Sequence, residues 1–401
     1  MVTPDSSLPH ITFVIHNIEG GVASMNHQII ENADFPRYFQ VHILLWRAAE
    51  DAAKEFRGRF TNAADVRNFT FSRYDNYYRM LHRLSRELER WPGLIVTNDG
   101  MELEAIRKFG SGSALFSIVH DFYNLKLAIE SLDLVDHFLC HTEVFTKALL
   151  SSHSLKGRVG YLLHGVKVMP GEDKPLSLPA GDGAANARPL KIVSISRLTE
   201  SKGVLLLSSI DDQLLARGIR TEWIIIGSGE LGDRLHEQWK GKPYVEFHNP
   251  ADHEEVMRLA ATGDVFISPS SFEGYGIALL EAMSCGLVPV IHRLPVGVYA
   301  QLPESVGFSV DIDHPDEFVT HIARLDQDRE MLARMSADAR RLIRERYDIT
   351  KTAVGFLEYF AAHTSSLIKK QPGANRKAGA GMLDRPLVPS SVSRWIRKLK
   401  S

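Results

Sequence analysis

The chain has 401 residues, 44% hydrophobic and 24% charged, with 47 Lys and Arg against 49 Asp and Glu. That length supports two or three domains, and the composition excludes both a disulfide-stapled miniprotein and a chain disordered throughout. A net charge of −2 excludes whole-chain attraction for nucleic acid or acidic lipid, so no nucleic-acid partner is expected.

Two cysteines, Cys140 and Cys285, cannot build a disulfide framework and suit a reducing, cytoplasmic compartment. The first residues, MVTPDSSLPH, carry no secretory pattern, and no stretch approaches the roughly 18 uninterrupted apolar residues of a spanning helix. Any membrane contact is expected to be peripheral.

Apolar runs predict strands over 11–16, 41–46, 94–98, 114–120, 137–141 and 160–164, with helices between most of them, the clearest over 78–91. Nearly continuous apolar strands alternating with helices imply a parallel sheet covered on both faces, hence a Rossmann-like domain over 1–169. Residues 170–189 are rich in Pro, Gly and Ala without periodicity, as in a linker. The alternation restarts in a second domain over 190–348, with strands expected at 191–196, 222–227, 244–248, 265–270, 288–292 and 307–310. A helix over 349–367 and a basic tail over 368–401 close the chain. The expected fold is α/β: two Rossmann-like, doubly wound domains facing each other across a cleft, with the site outside the carboxyl ends of the strands.

From Ser365 onward nine basic residues stand against the single acid Asp384, a net of +8. Trp395, Ile396 and Leu399 lie among the last cations, which makes the tail a candidate contact for an anionic membrane surface; a solubilising tail fits the same composition.

The most informative segment is VFISPSSFEGYGIALLEAMSCGLVPVI, residues 265–291. A strand runs into a loop holding Glu273, Gly274, Tyr275 and Gly276. A helix over 277–285 follows, stopped by Gly286, and then another strand. The first N–H groups of a helix lack intrahelical acceptors and its dipole adds partial positive charge, so the amides near Ile277 and Ala278 can hold an anion. Glu281 shares a helical face with Ile277, and Glu273 projects from the loop before it. Carboxylates there repel phosphate but accept O–H donors, which sugar hydroxyls supply. Taken singly, each glutamate reads as well as a solvated surface acid.

In KIVSISRLTESKGVLLLSSI, residues 191–210, Arg197 ends a strand and Lys202 is expected to open the next helix. Cations at the carboxyl edge of a sheet suit a diphosphate leaving group, on which negative charge builds as a glycosidic bond breaks; an exposed turn is the plain alternative. Gly20 and Gly21 follow the first strand, where paired glycines allow close approach of a ligand or simply a tight turn. His120 arrives at the end of the fourth expected strand, placed to donate a hydrogen bond near a reacting centre.

Together these segments resemble the family 4 glycosyltransferases of the GT-B fold, over about 11–367. The most specific element is the pair of glutamates in Glu273-Gly-Tyr-Gly-Ile-Ala-Leu-Leu-Glu281 followed by AMSCGLVPVI. The resemblance implies that Glu281 holds the ribose of a nucleotide sugar, Glu273 the sugar hydroxyls, and the amides near Ile277 and Ala278 the diphosphate. It implies that Arg197 and Lys202 neutralise that diphosphate, that Gly20 and Gly21 approach it, and that His120 lies against the transferred sugar. It further implies a UDP- or GDP-sugar donor, a saccharide or lipid-linked acceptor, retention, and no metal or other cofactor.

The chain departs from the family in two places. His164-Gly165-Val166 stands where Asn-Gly-Val is usual, and HRLPVGVYAQLPE follows Ile291 where a Gly-Gly-Xaa-Xaa-Glu loop is usual. Two other functions stay open at this stage. Gly227-Ser-Gly229-Glu-Leu-Gly232 with Glu246 fits the dinucleotide fingerprint of an NAD-dependent oxidoreductase, and a non-catalytic nucleotide-sugar binder would share the same donor residues. Asp311-Ile312-Asp313 reads as a solvated turn, and His253-Glu254-Glu255 lacks the second histidine of a zinc-binding helix.

Overall fold

Two all-parallel sheets account for the alternation of apolar runs and helices. They belong to a computed structural model that describes residues 7–18, 20–151, 155–169, 188–249, 252–311 and 313–364. Most of the linker, the tail, Glu19 and Ile312 lie outside the described residues. The chain forms two compact units, one made of residues up to His164 together with those from Thr350 on, the other of Gly165–Ile349.

The first unit contains β1 His10–His16, β2 Gln40–Ala48, β3 Asp65–Phe71, β4 Leu94–Thr97, β5 Ala114–Val119, β6 His137–Cys140 and β7 Val159–Tyr161. Their order is β3-β2-β1-β4-β5-β6-β7. Every residue of β4, β5 and β6 is buried, which is why those segments read as unbroken apolar runs. The register sets Phe13 opposite Ile43 on one side and Val96 on the other. β3 is not expected from the sequence. Its DVRNFTF is an edge strand with mostly half-buried or exposed side chains, so it lacks the continuous apolar signature.

The second unit contains β8 Leu190–Ile195, β9 Thr221–Ile226, β10 Val245–His248, β11 Val265–Ser268, β12 Val288–His292 and β13 Phe308–Val310, in the order β10-β9-β8-β11-β12-β13. Several strands stop one or two residues short of the sequence expectation. The overrun residues Asn98, His120, His141, Ser196 and Ser270 turn off the ladder into the loops at the carboxyl edge. The helix expected over 78–91 spans Tyr77–Leu88, and the Asn76 side chain caps it by accepting from the Arg79 amide at 3.0 Å.

The last described helix, Ile349–Ala362, belongs with the first sheet. Its Phe360 ring sits 5.8, 6.3 and 5.4 Å from the rings of Phe13, Phe35 and Phe116 and is fully buried. The segments that leave and re-enter the second unit run side by side, with the Val166 amide bonded to the Tyr347 carbonyl and the Ile349 amide to the Val166 carbonyl.

A Phe360→Ala substitution is expected to cost about 3–5 kcal/mol, the range for a buried Phe truncated in a core. In denaturant unfolding the loss should fall on the transition of the first unit and leave that of the second in place. Equal shifts of both transitions would contradict this assignment of the helix.

Candidate active site

Strand order reverses between β8 and β11 in the second unit. In a doubly wound sheet the loops that follow such a pair diverge and open a crevice at the carboxyl ends. The loop after β8 carries Arg197 and Lys202, and the loop after β11 carries Glu273 to Gly276. The two loops are stitched at their bases. The Ser201 carbonyl accepts from the Ser271 amide at 2.9 Å and from the Ser270 and Ser271 hydroxyls at 3.2 and 3.1 Å. Gly203, in the left-handed region at φ 64°, lets this happen: a Cβ there would lie 2.3 Å from the Pro269 carbonyl oxygen. Lys202 therefore does not open a helix as expected; it ends a 3-10 turn, Glu200–Lys202, that Gly203 terminates.

Lys202 Nζ lies 2.7 Å from Glu273 Oε1, with both side chains mostly buried at 14% and 17% exposure. The same ammonium is 3.3 Å from the Phe272 carbonyl. Arg197 is exposed and makes no ion pair with a described residue. Gly276, at φ 103°, caps the helix Ile277–Ser284, and no side chain bonds its first amides. The amides of Ile277 and Ala278 thus remain donors without intrahelical acceptors. Tyr275 is buried, and its carbonyl accepts from the Val298 amide at 2.9 Å, so it contributes backbone and packing to the loop.

Four residues beyond Ile277, Glu281 is 6% exposed and its Oε1 lies 2.6 Å from His253 Nε2. Sequence reasoning missed His253 as a site residue. It opens the helix His253–Ala260, 28 residues away, and nothing local marks it. Tyr299 was also missed. Its hydroxyl lies 2.9 Å from Ser268 Oγ. Burial, together with the Glu273 charge, pushes its phenol well above the usual range.

The dinucleotide fingerprint sits in the wrong place for its function, since it follows β9, one strand away from the reversal. Its glycines are consumed by packing: a Cβ on Gly227 would lie 1.9 Å from the Ser196 carbonyl oxygen and one on Gly229 2.4 Å from that of Leu198. Glu246 is tied to His248 at 2.9 Å. Among the described residues no cluster of three or more His, Cys, Asp or Glu is placed to hold a metal ion.

In the first unit the reversal lies between β1 and β4. Gly20 and Gly21 are exposed at the start of the helix Gly21–Glu31, and a Cβ on either would meet no protein atom within 4 Å. Their own packing does not require glycine. After β4, Asn98 sits at a buried junction: its amide nitrogen donates to the Val14 carbonyl at 2.8 Å, and its Oδ1 accepts from Asn26 Nδ2 at 3.0 Å and from His120 Nε2 at 2.7 Å. With that proton on Nε2, His120 Nδ1 is the bare nitrogen, and it has no partner among the described residues. His120 is 4% exposed, and burial beside His141 and His164 holds it well below the usual histidine range. It is a neutral imidazole whose donor is engaged; the donor role expected from the sequence is taken by Asn98. His164, in the departing His-Gly-Val, is fully buried, with Nε2 3.1 Å from the Met25 carbonyl.

Residues 181–342 match the family described as Glycosyl transferases group 1. Among solved structures, 88% of the chain superposes on all of the Anabaena protein Alr3699/HepE in complex with UDP and glucose, with a TM-score of 0.68 at 18% identity. For the sucrose-phosphate synthase from Thermosynechococcus elongatus the coverage is 89% and 100%, with a TM-score of 0.70 at 15% identity. The molecule has the GT-B fold. Within this GT-B chain, 152 residues are 32% identical to the sulfoquinovosyl transferase SQD2 of Arabidopsis thaliana, covering 36% of this chain and 29% of that protein. A 117-residue match, also at 32% identity, is to the gpi3 subunit of the phosphatidylinositol N-acetylglucosaminyltransferase of Schizosaccharomyces pombe, covering 28% of this chain and 25% of that protein. The chain thus spans less than a third of the length of these relatives.

The GT-B N-terminal unit also carries a titration test. Glu102 Oε1 accepts from the amides of Asn98 and Asp99 at 2.9 and 2.8 Å, while Oε2 has no partner among the described residues. Burial, reinforced by Asp99, pushes its carboxyl up to about 8. Because the folded state keeps a proton that the unfolded state has released, stability falls as pH rises toward 8. Between pH 6 and 8 the loss should be about 2 kcal/mol. Glu102→Gln, a neutral isostere that keeps the acceptor, should lack this loss. Parallel stability–pH curves for the two proteins would contradict it.

Proposed function

We propose that the protein is a retaining hexosyltransferase of family 4. It moves a sugar from a UDP- or GDP-sugar to an acceptor hydroxyl, without a metal. The single observation that carries the reading is the strand-order reversal in the second unit. There one loop supplies two cations, and its neighbour supplies a helix start and two carboxylates.

The chemistry follows from charge. As the glycosidic bond breaks, negative charge accumulates on the diphosphate, and Lys202, Arg197 and the amides of Ile277 and Ala278 stabilise it. In the unliganded chain Lys202 is paired with Glu273, so donor entry exchanges a carboxylate for the diphosphate at the ammonium. Glu273 is then left to accept from sugar hydroxyls. Glu281, held by His253, accepts from the ribose. In the first unit, Gly20 and Gly21 leave backbone open to a ligand, and the bare Nδ1 of His120 is an acceptor with no partner among the described residues.

The acceptor in this reading is lipid-linked or a saccharide, in envelope polysaccharide or glycolipid assembly; the lipid-linked form is supported by the relative that carries phosphatidylinositol in its name. The +8 tail supports work at an anionic membrane face, in the cytoplasm. No helix among the described residues is long and apolar enough to cross a membrane.

The test is a transfer assay with UDP- and GDP-hexoses in the presence of EDTA. Lys202→Ala is expected to lower kcat on the order of 100-fold, as for a lost oxyanion donor. Glu281→Ala is expected mainly to weaken donor binding, by about 1.5–3 kcal/mol. Wild-type turnover in Lys202→Ala, loss of activity in EDTA, or an inverted anomer by NMR would each overturn the corresponding part. Donor binding without turnover would leave a nucleotide-sugar binder instead.

A further inference from the structure

Glu281 sits on a helix that is joined to its neighbour at two levels, and one of the joints is made by its own carboxylate. His253 Nε2 lies 2.6 Å from Glu281 Oε1, and four residues further along both helices the Cys285 thiol donates to the Met257 carbonyl at 3.6 Å. Equal steps of four on the two chains of contact mean that the helices His253–Ala260 and Ile277–Ser284 run side by side in the same direction. The start of the first helix is fixed in turn by Asp252, whose side chain accepts from the Glu255 amide at 2.7 Å. A capped and packed helix therefore presents His253 to Glu281. The imidazole is 43% exposed, whereas the carboxylate it meets is 8% exposed.

An ionised carboxylate only accepts, so the hydrogen at this contact lies on the imidazole Nε2. Oε1 is thereby occupied, and Oε2 has no donor among the described residues. We propose that His253 is a positioning residue that sets the ribose selectivity of the site: by holding Oε1 it fixes Oε2 as the acceptor for a ribose hydroxyl. This rests on the function proposed above, which gives Glu281 the ribose, and adds what makes that contact discriminating. A deoxyribose at the same position leaves a mostly buried carboxylate oxygen unpaired, and a site built around such an acceptor rejects the analogue that lacks the hydroxyl. Without the imidazole the carboxylate turns between its rotamers and takes water in the space the ring vacates. The missing hydroxyl then matters little.

The test is calorimetry on the full chain with UDP or GDP, whichever the wild type binds, and with its 2′-deoxy and 3′-deoxy forms. The wild type should prefer the ribonucleotide to at least one deoxy form by about 10- to 100-fold, the range for a lost hydrogen bond to a charged group. His253→Ala should lose most of that preference by weakening the ribonucleotide and leaving the affinity of the deoxy form unchanged. His253→Gln, whose amide nitrogen can take the place of Nε2, should restore it. In the transfer assay His253→Ala should raise KM for the sugar donor and leave kcat unchanged, as for binding shared by ground and transition states. A His253→Ala protein that keeps the full preference, one that weakens the ribonucleotide and the deoxy forms equally, or a His253→Gln protein that restores nothing overturns this role while the proposed function stands. A wild type that binds the ribonucleotide and both deoxy forms equally removes the ribose contact of Glu281 and this role with it. A wild type that binds no nucleoside diphosphate overturns the proposed function itself.

Discussion

Reversal of strand order between β8 and β11 is the constraint on which the site depends. On either side of it the strands follow in sequence, β8-β9-β10 one way and β11-β12-β13 the other. At the reversal the connections part, and the two loops meet at their bases. Ser201, bonded by both Ser270 and Ser271, fixes how the two loops meet. Gly203 removes the Cβ that would keep them apart. Cations from one loop and carboxylates from the other are then brought within ion-pair distance, as Lys202 and Glu273 are. Their positions follow from backbone contacts deeper in the fold.

The same geometry resolves an electrostatic conflict. A phosphate site flanked by two glutamates would be unfavourable if all the charges were free. Here, in the unliganded chain, each carboxylate already has a partner, Glu281 with His253 and Glu273 with Lys202. In the first unit the corresponding reversal gathers neutral groups: Asn26, Asn98 and an imidazole that burial keeps uncharged.

Local features of this chain were legible in its sequence, and contacts across the chain were not. The glutamate pair, the helix start at Ile277 and the stop at Gly286 lie within one strand–loop–helix segment, where spacing is geometry. The two doubly wound sheets followed from apolar runs buried on both faces, while β3, with its exposed alternate residues, left no such run. His253 reaches Glu281 from the start of another helix and the Tyr299 ring packs against Gly276 from beyond β12, and no pattern near Glu281 or Glu273 announces them. A helix follows Lys202 and makes that residue look like its start; Gly203 in the left-handed region intervenes. For His120 the sequence supplied the residue and its place at a strand end, but the choice of nitrogen is made by Asn98, 22 residues away.

The reversal in the second unit is expected to receive a nucleoside diphosphate, and the glycines after β9 no dinucleotide. Thermal unfolding of the full chain with UDP, GDP, their hexose conjugates and NAD measures this directly. Stabilisation is expected from a nucleoside diphosphate and its sugar conjugate, about 2.7 kcal/mol at a hundred times the dissociation constant, and none from NAD. Stabilisation by NAD alone would contradict it.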